Sequence, residues 1–212
     1  MYWQNRPVST GQLYPYKAMI DTLLSYGSSA KTSQLQQGFH KDATGSMDDN
    51  VVAGHKSLTE NGKSIQLEGP LMADVCQQPF LVPNGVQVKI RLVPHGPAFA
   101  LHTTVADAAF KVRVEDVKFL ACLVTLNPAH QAKIEERLKK TTLKYPLQAA
   151  EMYNVPLVAG TPRVKKDDLF DGRVPSRMVV GLVNSEAFEG NYKKNPFNFQ
   201  QDRKSTRLNS SH

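Results

Sequence analysis

Phe110-Lys111-Val112-Arg113-Val114-Glu115-Asp116-Val117-Lys118-Phe119 is the stretch on which the fold reading turns. Phe110, Val112 and Val114 alternate with Lys111, Arg113 and Glu115. Successive side chains of an extended segment point to opposite faces, so this spacing predicts a strand with one buried and one wet face. At Glu115-Asp116 the phase slips by one residue, and Val117 and Phe119 take over the apolar role. A β-bulge at that step accounts for the slip. Leu120 to Leu126 continues as an almost wholly apolar run, which predicts cover on both faces.

The same period of two recurs upstream. Ile65 and Leu67 alternate with Ser64, Gln66 and Glu68, and Val86, Val88, Ile90 and Leu92 alternate with Gln87, Lys89 and Arg91. Downstream, Tyr145 to Val158 accommodates one strand, and Arg177 to Val183 is dense in β-formers. Asn184-Ser185 suits a turn, and the alternating Phe197 and Phe199 suit a core strand edge. Two segments break the pattern. Tyr14 to Tyr26 places Tyr16, Met19, Ile20, Leu23 and Leu24 at helical spacing, with Pro15 in the first turn and Gly27 as a stop. Asn127-Pro128 opens a second helix with Asn as N-cap. Ile134 and Leu138 mark its inner stripe, and Glu135–Lys139 and Glu136–Lys140 are oriented i,i+4 pairs. Gly27 to Gly62 is polar, holds five glycines and shows no period, as a long surface loop does. Many short strands, Pro/Gly-rich links and no βαβ rhythm predict an all-β chain with two short helices, built as antiparallel β-sandwiches or a barrel.

Composition narrows the function classes. The chain of 212 residues is 41% hydrophobic and 21% charged, ordinary for a soluble globular protein. No apolar run is long enough to span a bilayer, and Met1 to Thr10 lacks the apolar core of a secretory signal. Cys76 and Cys122 form no disulfide framework and read as buried free thiols of a reducing compartment. The eleven residues Asp202 to His212 match the in-frame translation of a common sequencing-library adaptor, so 202–212 is expected to be an artefact. Without it the formal charge of +7 falls to +5, from 23 basic and 18 acidic side chains. A charge of that size, spread among acids, suits solubility and marks no nucleic-acid stripe.

Chemistry-bearing motifs are absent. There is no phosphate loop, nucleophile elbow or His-Glu-x-x-His. His95 and His102 flank a Pro/Gly turn, and a hairpin there would bring them together, but ordinary turn histidines explain them as well. Asp167, Asp168 and Asp171 cluster without the spacing of a calcium loop and are neutralised by Lys165 and Lys166. Lys193-Lys194 beside Tyr192 and Phe197 are too few for a nucleic-acid footprint. No catalytic, cofactor-binding or metal-ligating residue is expected, and no cofactor.

One block is distinctive: Val174-Pro175-Ser176-Arg177-Met178-Val179-Val180-Gly181-Leu182-Val183-Asn184-Ser185-Glu186-Ala187-Phe188-Glu189-Gly190-Asn191-Tyr192-Lys193-Lys194-Asn195-Pro196-Phe197. It resembles a segment of the hexon-like major capsid proteins of Polinton (Maverick) elements and adintoviruses. Tyr14-Pro15-Tyr16, Gly38-Phe39-His40-Lys41-Asp42, Leu67-Glu68-Gly69-Pro70-Leu71-Met72-Ala73-Asp74, Val88-Lys89-Ile90-Arg91-Leu92 and Lys144-Tyr145-Pro146-Leu147 are similar in order and spacing. The resemblance implies a partial double jelly roll. Residues 1–126 would be the C-terminal part of the first jelly roll, 127–142 a linker helix and 143–201 the start of the second. It implies a structural capsid subunit that associates as a homotrimer and with other capsid subunits, assembles inside the cell into a virion, and does no catalysis. It also implies further strands on both sides of this sequence. The alternative reading is a β-sandwich that binds or processes glycans; it would require convergent carboxylates or exposed aromatics, and the sequence offers a single tryptophan, Trp3. A third reading, direct nucleic-acid binding, rests on the basic isoelectric point alone, and no membrane partner is expected.

Overall fold

The computed structural model describes residues 1–3, 5–8, 11, 13–31, 33–35, 59–103, 105, 107–147, 149–161, 164–167, 169 and 174–199. The sequence reading of 202–212, most of the Gly27–Gly62 loop, Asp168, Asp171 and the Gly38–Asp42 step lies outside them.

The expectation of an all-β partial double jelly roll is overturned. Among the described residues the strands are β1 (Tyr2–Trp3), β2 (Arg6–Pro7) and β3 (Val88–Lys89), each two residues long. They form one antiparallel sheet in the order β2-β1-β3, with Tyr2 opposite Pro7 and Lys89, and Trp3 opposite Arg6 and Val88. Regular structure is otherwise helical: α1 (Tyr14–Ser25), α2 (Ser28–Lys31), α3 (Pro97–Ala100), α4 (Pro128–Lys140) and α5 (Ser185–Glu189). Single 3₁₀ turns occupy Glu60–Gly62 and Asp74–Cys76.

The physical reason is that alternation encodes a half-buried face and leaves its partner unspecified. A segment becomes a strand only when its N–H and C=O groups pair with a neighbour. Residues 63–67, 110–126 and 177–181 belong to neither helix nor sheet, and no ladder crosses the Glu115-Asp116 step where a bulge was expected. Of the 86–92 pattern only Val88–Lys89 pairs, and its partner is β1.

Helix starts follow the local rules. Asn127 caps α4 by accepting from the Ala129 N–H at 3.0 Å, and Pro128 fills the first turn. Glu136–Lys140 closes at 3.1 Å, whereas Glu135 takes the Gln131 amide at 3.0 Å instead of Lys139. No residue of α4 is buried, and of its expected inner stripe Ile134 is exposed and Leu138 half-buried. Asn184, expected in a turn, caps α5 by accepting from the Glu186 N–H at 3.0 Å.

α1 runs as expected, but its buried face is shifted. Tyr16 and Lys17 are buried, while Leu23 and Leu24 are exposed. The small core lies against this face. Met72, Ala73 and Val75 bury on one side, and Ala187 of α5, 1% exposed, on the other. The expectation of buried thiols fails as well, because Cys76 and Cys122 are both free and exposed.

Candidate functional site

Three stretches far apart in sequence, α1, α3 and residues 188–199, meet at Tyr16. Its ring, 6% exposed, stacks on Phe188 at 5.6 Å and 19°. Phe197 lies at 5.6 Å, Phe99 at 6.0 Å and Phe199 at 6.4 Å, all tilted or edge-on. Offset and edge-to-face rings gain quadrupole attraction beyond their burial. The C-terminal turns are built to deliver these rings. Asn195 Oδ1 accepts from the Phe197 N–H at 2.8 Å, and Asn191 Oδ1 accepts from the Lys193 N–H at 2.9 Å. Such side-chain-to-backbone bonds fix a tight turn without regular structure. Gly190, at φ 103°, lets the chain pass against α3, where an added Cβ would lie 3.3 Å from the Phe99 nitrogen.

Next to the aromatic cluster sits a buried cation. Lys17, 8% exposed, places Nζ 2.6 Å from Asp21 Oδ2, 3.0 Å from Asp74 Oδ1 and 3.0 Å from the Met72 carbonyl. An ammonium has three donors, and this site uses all of them. Burial pulls the Lys17 pKa down, but the hydrogen bonds and charges of Asp21 and Asp74 outweigh it and leave it above the ordinary lysine value. The Tyr14 hydroxyl accepts from the Met72 N–H at 2.9 Å, and Asp74 also takes the Ala150 N–H at 3.2 Å. Lys17 therefore works as a structural latch, with no donor left for a substrate.

The residues weighed for chemistry are dispersed. His95 stacks on Phe99 at 4.5 Å, and the span between it and His102 forms α3 instead of a hairpin. Lys165 pairs with Asp167 at 3.1 Å on the surface. Lys194 pairs with Glu186 at 2.8 Å, and its hydrogen bond and charge hold that carboxyl below its ordinary value. Phe197 and Phe199 are core rings on Tyr16 and belong to no strand edge. Trp3 packs edge-on against Tyr145 at 5.4 Å. Among the described residues no three His, Cys, Asp or Glu side chains gather as a metal site would require, and no helix is long and apolar enough to cross a membrane.

A half-open depression of about 400 Å³ is lined by Leu182, Val183, Asn184, Ala187, Lys194, Asn195 and Asn198. Its polar groups are already engaged: Asn184 caps α5, Lys194 holds Glu186, and Asn195 closes its own turn. A ligand pocket needs convergent groups left over for the ligand.

The open feature is apolar. Phe110, Val112, Val114, Val117, Phe119, Leu120 and Leu123 all face solvent, with Leu120 76% and Leu123 90% exposed. Val174 and Val180 are also open, at 95% and 75%. The sequence pattern places Phe110, Val112, Val114, Val117 and Phe119 on a buried face and predicts cover on both faces of 120–126, and it gives no sign of Lys17, whose partner Met72 is 55 residues away.

The chain is 27% identical over 191 residues to an uncharacterized protein of Caenorhabditis elegans. The match covers 88% of this chain and 45% of that protein, so the chain spans less than half the relative's length. No protein-family model and no solved structure matches the chain.

Proposed function

We propose that this chain is part of a self-associating structural subunit of capsid type, working through its surfaces and carrying out no chemistry. The observation that carries the reading is the run of open apolar side chains in residues 110–126. Scattered apolar residues are normal on a monomer, but a sustained run of large ones marks a surface that another surface covers. The resemblance of Val174–Phe197 and its companion segments to hexon-like capsid proteins supports the same reading. It adds a homotrimer that assembles inside the cell into a virion shell, contacting other capsid subunits and no specific nucleic acid or membrane. The aromatic cluster and the Lys17 latch would hold each subunit in register while the open faces associate.

Sedimentation velocity on the full chain over a range of concentrations tests this. The expected result is a concentration-dependent shift from one chain to three. A single-chain species at every concentration overturns the proposal.

A further inference from the structure

The end of α4 carries a cluster that the self-association reading does not use. Arg137, Lys139 and Lys140 fall in its last turn, where cations suit the negative end of the helix dipole. All three are exposed. Glu136 holds Lys140 at 3.1 Å, and Arg137 and Lys139 make no ion pair among the described residues. The helix stops at Lys140, where Thr141 turns extended at φ −136° and ψ 151°. The Arg137 carbonyl accepts from both the Thr141 N–H and the Thr141 hydroxyl, each at 2.9 Å. Thr141 is thereby spent on the cap. Thr142, the next residue, is exposed, lies outside helix and sheet, and makes no hydrogen bond among the described residues.

Lys139-Lys140-Thr141-Thr142-Leu143 therefore sets an open hydroxyl three residues after one lysine and two after another. Arg137 stands five residues before it, and Leu143, also exposed, follows it. Protein kinases choose their substrates by charge patterns of this kind. Those that prefer basic residues three and two places before the acceptor meet them with carboxylates, and hold the acceptor on extended backbone. An acceptor must also leave its own fold to enter the kinase cleft. Here that cost is low, because no residue of α4 is buried and its last turn opens without exposing core. Among the described serines and threonines, Thr142 alone has a basic residue at both places. We propose that Thr142 is a phosphorylation site for a protein kinase that selects basic residues. Its Oγ attacks the γ-phosphorus of a nucleoside triphosphate, the bond to the β-phosphate oxygen breaks, the nucleoside diphosphate leaves, and the hydroxyl proton passes to the kinase's base. The product sets about two negative charges among Arg137, Lys139, Lys140 and Lys144.

The test incubates the full chain with magnesium ATP and a purified kinase that reads basic residues at these two places. Intact mass should gain one phosphate, and peptide mapping should place it on Thr142. Thr142→Ala should lose it and Thr141→Ala should keep it. Lys139→Ala combined with Lys140→Ala should slow incorporation about tenfold. These side chains are exposed, so the variants should remain folded. A kinase that selects acidic residues around its acceptor, run in parallel, should leave Thr142 unmodified. No phosphate on the parent chain, undiminished phosphate on Thr142→Ala, or equal labelling by the two kinases would overturn the proposal.

Discussion

Tyr16 carries the sharpest cost in the core. Its hydroxyl is buried with no hydrogen-bond partner among the described residues, inside a ring of phenylalanines. Leaving such a group unsatisfied costs about 1–3 kcal/mol, while the ring itself is needed for the stack. Tyr16→Phe keeps the ring and removes the orphan, so thermal unfolding should move up, by about 1 kcal/mol of stability. Alkaline pH gives an independent check. Burial raises the Tyr16 pKa above the ordinary 10.0. Below 10.0 both folded and unfolded chains keep the proton, and this residue's contribution is fully present. As pH rises through the folded value the unfolded chain has already ionised, and that contribution is lost. The tyrosine protein should therefore lose more stability at alkaline pH than Tyr16→Phe, as read by chemical denaturation along a pH series. Parallel curves would show that the hydroxyl is solvated.

At the scale of elements, α4 and α5 begin with the same device, an Asn side chain accepting from the second helical N–H. They differ in what the helix then buries. α5 places Ala187 and Phe188 in the core, whereas α4 has no buried residue. Asn184→Ala should therefore lower global stability by about 1 kcal/mol. Asn127→Ala should fray α4, seen as faster amide exchange in its first turn, and leave the unfolding midpoint unchanged. Equal global losses would mean that α4 is packed after all. This contrast also marks what the sequence could disclose. Both helix starts are written within four residues, so Asn127-Pro128 was legible as a cap from sequence alone. The cap at Asn184 was mistaken for a turn, because α5 is too short to show a period. The sheet expectation failed for a different reason. Val112 and Val114 state that one face of the segment is apolar, but no residue in it states which other segment lies alongside. Lys17 stayed hidden for a related reason, since nothing near α1 announces Asp74.

At the scale of the whole molecule, the core gathers around Tyr16, and the apolar run of 110–126 is open to solvent beyond Phe110, whose ring meets Tyr192 at 6.3 Å. The two should respond independently. Leu123 is 90% exposed, so Leu123→Lys removes little burial within one chain. The unfolding midpoint of the dilute protein should stay within about 0.5 kcal/mol of the parent, while association at high concentration declines. A fall in the midpoint at low concentration would show that Leu123 is buried by its own chain. The latch between Lys17 and Met72–Asp74 has a consequence for engineering. It ties the two ends of a long excursion together at its base, and lengthening an excursion already that long changes its closure entropy only slowly, by about 0.6 kcal/mol per doubling. A foreign peptide spliced into that span, for display or purification, should therefore leave the aromatic cluster intact, provided the splice spares α1 and the residues that clasp its lysine.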